Sequence, residues 1–128
     1  MSCRRVLVVE DNAKNLKLVR DVLAYAGYDV IEAETGERGV ELAVDHIPDL
    51  VLMDLQLPGI DGTEALRRLR ELPGMEHVPV VAVTAFAMQA DRDRAFASGF
   101  DGFVEKPLSV RALPEQVERF LMEGASGE

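Results

Sequence analysis

Five short apolar runs, separated by stretches in which apolar residues recur every three or four positions, leave this chain few ways to fold. The first run is Arg5-Val6-Leu7-Val8-Val9, and the others occupy residues 28–33, Leu50–Asp54, 79–84 and 100–105. Runs this short, β-branched and apolar without alternation suit strands buried on both faces. Joined by helical segments through short connections, they require parallel βαβ units and an α/β fold.

The punctuation between the runs supports the same reading. Asn12 can cap a helix carrying Leu16, Val19, Leu23 and Ala26, stopped at Gly27. Thr35 can cap a second, with Val40, Ala43, Val44 and Ile47 on one side and Pro48 at its end. Asp61, with Glu64 three residues on, opens a third through Leu66, Leu69 and Leu72 in the manner of a capping box, and Pro73-Gly74 ends it. Residues 85–98 form a fourth helix with weak apolar periodicity, closed by Gly99, and a weakly amphipathic helix docks less firmly. The fifth, with Ser109 as cap, turns Val110, Leu113, Val117, Phe120 and Leu121 inward. Pro114 fits it poorly beyond the first turn, so the regular helix begins near Pro114 or its first turn is irregular. One domain over residues 1–122 is expected, with 123–128 as a short tail.

Composition removes several function classes. The formal charge of −9 repels nucleic-acid phosphates and anionic membranes, and the arginines at 67, 68, 70, 92 and 94 stand among acids on helix faces that read as solvated. No apolar run approaches the ~18 residues of a membrane span and no signal peptide precedes the first strand, so a cytoplasmic protein without direct nucleic-acid binding is expected. Cys3 alone makes neither a disulfide nor a thiolate metal site, and reads as an inert thiol near a frayed terminus. His46 and His77 lack metal-ligand spacing and face solvent; the methionines, Met53 among them, read as core filler.

The chemistry collects at the carboxyl ends of the strands, where open α/β sheets bind their ligands. Glu10 and Asp11 follow the first strand, Asp54 ends the third, Thr84 the fourth, and Lys106 follows the fifth. In a sheet of order 2-1-3-4-5 the first and third strands are neighbours, and three carboxylates crowd one crevice. Like charges so placed raise each other's proton affinity unless a cation intervenes. Oxygen ligands without His or Cys select a hard divalent ion, and Mg²⁺ keeping several waters suits them.

Four separated motifs, Val-Val-Glu-Asp-Asn, Leu-Met-Asp-Leu-Gln-Leu-Pro-Gly-Ile-Asp-Gly, Val-Ala-Val-Thr-Ala and Val-Glu-Lys-Pro-Leu, come in that order, each at a strand end. Over residues 5–120 the chain resembles the receiver domain of bacterial two-component response regulators. The resemblance implies a doubly wound, flavodoxin-like sheet of five parallel strands, order 2-1-3-4-5, with five helices. It implies Asp54 as phosphoacceptor, Glu10 and Asp11 as the acidic pair supporting Mg²⁺, and a backbone carbonyl of Gln56 as a further ligand. Thr84 and Lys106 would hold the phosphoryl oxygens, Phe103 falls at an aromatic switch position, and the Lys106-Pro107 bond is expected to be cis, helping to aim the lysine inward. Gln56 and Phe86 flank the site where family members tune hydrolysis.

The implied partners are a histidine kinase or histidine phosphotransfer protein upstream and a protein target downstream. The chain ends about where an output domain would begin, as in the stand-alone receivers of cell division, polarity and phosphorelays. A receiver cut from a hybrid histidine kinase fits the same motifs. A haloacid-dehalogenase-like phosphohydrolase also uses an aspartyl phosphate, Mg²⁺, Thr and Lys, but its nucleophile opens an Asp-x-Asp motif after the first strand, where this chain reads Glu10-Asp11-Asn12. Singly, each residue has a plainer reading: Asp54 as a helix cap, Thr84 as a strand residue, Lys106 as a snorkelling surface lysine, Phe103 as core.

Overall fold

In the computed structural model, residues 4–85 and 88–126 are described; Cys3 and Phe86 lie outside them. The strands are β1 (Arg5–Val9), β2 (Asp29–Ala33), β3 (Leu50–Asp54), β4 (Val80–Thr84) and β5 (Gly102–Glu105). The helices between and after them are α1 (Ala13–Tyr25), α2 (Gly36–Asp45), α3 (Gly62–Arg70), α4 (Gln89–Ser98) and α5 (Leu113–Ser126). All neighbouring strands pair in parallel, in the order β2-β1-β3-β4-β5, which is the expected doubly wound sheet.

Strand alternation sends side chains into two cores. Val6, Val8, Leu50, Leu52, Val81, Val83 and Val104 pack with Leu16, Val19 and Leu23 of α1 and Leu113, Val117 and Leu121 of α5. Leu7, Val9, Val51, Met53, Val80 and Ala82 pack on the opposite face with Ala43 of α2, Leu66 and Leu69 of α3, and Ala95 of α4. β3 and β4 are buried along their whole length, as continuous apolar runs require.

Helix starts follow the capping residues. Asn12 Oδ1 accepts from the backbone N–H groups of Lys14 and Asn15, Thr35 Oγ1 from Arg38, and Asp61 Oδ1 from Glu64. Helix α5 begins at Leu113, with Ser109 Oγ accepting from Ala112 N and Pro114 in the first turn, where its missing N–H costs nothing. Val110 is therefore left 55% exposed rather than inward. Helix α5 also runs to Ser126, so residues 123–126 continue the helix where a tail was expected.

Two other expectations change. Helix α2 buries Gly36, Gly39 and Ala43, not Val44 or Ile47, which are 58% and 47% exposed. It lies so close to the sheet that a Cβ at Gly39 would stand 2.8 Å from Val9 Cγ2, and the small residues are what permit that approach. Helix α4 begins at Gln89, its preceding residue Met88 offers no side-chain cap, and Ala95 is its only buried residue.

The arginines also divide. Arg67 and Arg68 pair with Glu64 on the solvated face of α3. Arg70 instead turns inward as a clamp, donating to Met75 O, Val78 O and Asp101 Oδ2 at 3.0, 2.7 and 2.6 Å. Asp101 Oδ2 also accepts from Val80 N, so this one pair pins the entry to β4 beside the entry to β5.

Tyr28 donates its hydroxyl to Glu118 Oε1 at 2.5 Å, fastening the start of β2 to α5. Burial, then the carboxylate of Glu118, push the Tyr28 phenol up from 10.0 to about 12. The folded protein thus holds this proton more tightly than the unfolded chain. The contribution is full below pH 10 and is lost as pH rises toward 12. Tyr28→Phe is expected to cost about 0.5–1.5 kcal/mol at neutral pH, and urea midpoints should show that deficit closing across this alkaline window. A deficit independent of pH would mean the hydroxyl makes no such bond.

Candidate functional site

Each strand of the sheet's centre delivers one functional side chain to the same end. Asp54, the last residue of β3, and Glu10, immediately after β1, are each only 4% exposed. Two buried acids on neighbouring strands are unfavourable without compensation. Compensation comes from the far edge of the sheet: Lys106 Nζ lies 2.9 Å from Glu10 Oε1 and 3.0 Å from Asp54 Oδ2. Backbone donors complete the cradle. Asn12 N donates to Glu10 Oε2 at 3.1 Å, and Gln56 N to Asp54 Oδ1 at 2.9 Å.

These bonds set the charge states. Burial, followed by the hydrogen bond to Asp54, raises the Glu10 carboxyl above the usual glutamate value, outweighing Lys106 and Asn12 N. For Lys106, burial alone would lower the ammonium's pKa. The hydrogen bonds to Glu10 and Asp54, with their charges, prevail and hold it above the usual lysine value.

Carboxylate oxygens of Glu10, Asp11 and Asp54 all lie within 4.8 Å of one another, with Asp11 on the exposed side of the cluster. This all-oxygen set, open to water at Asp11 and with Glu10 and Asp54 already paired to the Lys106 ammonium, fits a hard divalent cation such as Mg²⁺. Thr84, 2% exposed, ends β4, and its carbonyl accepts from Lys106 N at 2.8 Å, tying the threonine and lysine ends together. The Lys106-Pro107 bond is cis, as expected. Gln56 is exposed beside Asp54. Phe103 is paired with Ala82 on β4 and partly buried against the α4-side core.

Residue patterns did not reveal the Glu10–Lys106 ion pair, since nothing in a sequence ties residues so far apart to one another. Nor did they single out Gly62, the first residue of α3. A Cβ there would meet Asp54 O at 2.7 Å and Leu55 Cα at 2.9 Å, both rigid backbone. The absence of a side chain at Gly62 lets α3 start against the end of β3. Gly62→Ala is expected to cost about 1–3 kcal/mol by displacing that backbone. Mg²⁺ affinity should weaken with it, read by thermal denaturation with and without the ion; a variant that melts and binds like wild type would discount the close approach.

Two buried acids bridged by one lysine, with a third acid beside them, at the carboxyl end of a doubly wound sheet define an α/β domain whose ligand end suits a hard cation. Over residues 6–118 the chain matches the response regulator receiver domain family, and it belongs to that family. It is 41% identical over 118 residues to the polar-differentiation response regulator DivK of Brucella ovis, covering 92% of this chain and 96% of that one. Among solved structures, a CheY-like response regulator receiver domain protein from Methanospirillum hungatei superposes with a TM-score of 0.89 at 28% identity, covering 99% of this chain and all of that one. The receiver domain of the sensor histidine kinase PA1611 from Pseudomonas aeruginosa, 31% identical with a TM-score of 0.86, covers 94% of this chain and 99% of that one; its structure holds a magnesium ion in the active site cleft. Among the described residues no helix is long and apolar enough to cross a membrane.

Proposed function

We propose that this chain is a single-domain response regulator that accepts a phosphoryl group on Asp54 and passes the change to a protein target in the cytoplasm. The observation that carries this reading is the buried Asp54 carboxylate held between Gln56 N and Lys106 Nζ beside Glu10 and Asp11. A phosphohistidine of a histidine kinase or histidine phosphotransfer protein is the donor. The P–N bond breaks and a P–O bond forms to a carboxylate oxygen of Asp54; the electron pair returns to the imidazole nitrogen.

Glu10, Asp11, Asp54 and the Gln56 carbonyl would hold Mg²⁺, which when bound supplies neutralisation of the phosphoryl oxygens. Gln56 N keeps Asp54 in one orientation. Once Asp54 carries the phosphoryl group as an acyl phosphate, Lys106 loses that carboxylate partner and its ammonium pairs with a phosphoryl oxygen. Thr84 donates its hydroxyl to another. The protein promotes its own phosphorylation and dephosphorylation and turns over no separate substrate.

Phosphorylation would then draw Thr84 toward the acid, let Phe103 turn inward, and repack α4 against β5 and α5. Helix α4 is suited to move, with one buried residue and no side-chain cap. Coverage of nearly the whole of the Brucella ovis relative favours a stand-alone role, whereas likeness to the PA1611 receiver favours a receiver from a hybrid kinase. The phosphohydrolase alternative is disfavoured because Asp11, its nucleophile position, is exposed while Asp54 is buried and bonded.

Intact mass after incubation with acetyl phosphate and Mg²⁺ tests the chemistry: one phosphoryl group gained, and none in EDTA. Hydrogen exchange with beryllofluoride and Mg²⁺ tests the switch, and unchanged protection over residues 84–120 would sink it.

A further inference from the structure

Strand β5 offers two side chains to α4. Val104 belongs to the core beneath α1 and α5, so its neighbours Phe103 and Glu105 face the other way. One residue of α4 reaches both. The Arg92 guanidinium carbon lies over the Phe103 ring, 5.3 Å from its centroid, and Arg92 Nη2 stands 3.9 Å from Glu105 Oε1. The sequence alone reads Arg92 as part of a solvated face, yet it makes a ring contact on a helix whose only buried residue is Ala95.

We propose that Arg92 is a positioning residue of the switch, holding Phe103 in its resting arrangement by covering the ring with a cation. The proposal rests on the phosphoacceptor reading above and deepens it, naming the group that sets the resting bias. A ring that turns further inward gives up its contact with the guanidinium. Removing the cation takes a contact from the resting state and nothing from the turned-in state, so the population moves toward the latter. Any ligand that prefers the turned-in state then binds tighter by the same factor. For a cation over a ring at an exposed site that factor is about two- to fivefold. The Glu105 pair is long and half-exposed, so it orients Arg92 and adds little of its own.

The test uses Arg92→Met, which keeps the aliphatic stem and removes the charge, beside Arg92→Lys and Glu105→Gln. Two quantities are read: Phe103 side-chain rotamer populations from NMR couplings in the metal-free protein, and affinity for beryllofluoride in Mg²⁺. Arg92→Met is expected to mix the Phe103 rotamers and tighten beryllofluoride about two- to fivefold, with Arg92→Lys between it and wild type. Glu105→Gln should stay close to wild type. Unchanged rotamers, or equal or weaker beryllofluoride affinity in Arg92→Met, would overturn the proposal, as would Glu105→Gln reproducing the whole effect. If wild type takes up no beryllofluoride, the phosphoacceptor reading fails, and the rotamer populations still decide whether Arg92 holds Phe103.

Discussion

Asp54→Asn is expected to abolish the mass gain from acetyl phosphate and Mg²⁺ while leaving the fold intact. The substitution is nearly isosteric, so the amide oxygen can still accept from Gln56 N and the side chain still fills its buried site. Lys106 keeps Glu10 as a partner at 2.9 Å. What is lost is the anionic nucleophile and, with it, the Asp54 half of the Lys106 ion pair. Removing a covalent nucleophile costs on the order of a thousandfold or more in rate, enough to leave no phosphorylated species in the time wild type needs to saturate. A variant that still gains a phosphoryl group in Mg²⁺ would move the acceptor elsewhere, with exposed Asp11 the first to examine.

Lys106→Met should produce the largest change in stability. It leaves Glu10 and Asp54, each 4% exposed, facing one another without a cation. Breaking a buried ion pair by deleting one partner costs about 3–5 kcal/mol. The lysine side chain is 20% exposed, so water takes up part of that and about 2–4 kcal/mol is expected in metal-free buffer. Saturating Mg²⁺ should recover much of it, because the ion binds the folded acids and not the unfolded chain. The sign of the pH dependence is fixed by the raised Lys106 pKa. Its contribution is full below the ordinary lysine value of 10.5 and is lost above it, so the deficit of the variant should shrink in strong alkali. Urea denaturation with and without Mg²⁺ reads both. A small deficit indifferent to Mg²⁺ would show that the three charges are not coupled as their distances require.

Much of this site is legible before any coordinates exist. Apolar runs such as Leu50–Asp54 and the capping residues Asn12, Thr35 and Asp61 place the strand ends, and strand ends place Glu10, Asp11, Asp54, Thr84 and Lys106. Local rules suffice there because strand burial and helix capping act over a few residues. They misjudge α2, where counting large apolar side chains selects Val44 and Ile47 and overlooks the glycine face that touches β1. They misplace the end of α5 because the small and polar residues that close this chain suit a tail as readily as the last turn of a helix.

What the sequence by itself determined is the order of elements, the sheet they must form and the set of chemical groups at its carboxyl end. Tertiary structure alone decided how those groups are paired: Lys106 between Glu10 and Asp54, Arg70 on Asp101, Arg92 over Phe103, Gly62 against the Asp54 carbonyl. The reason is physical. Secondary structure follows from neighbours along the chain, whereas the partner of a long, flexible charged side chain is fixed by which elements the packed cores bring within reach of it.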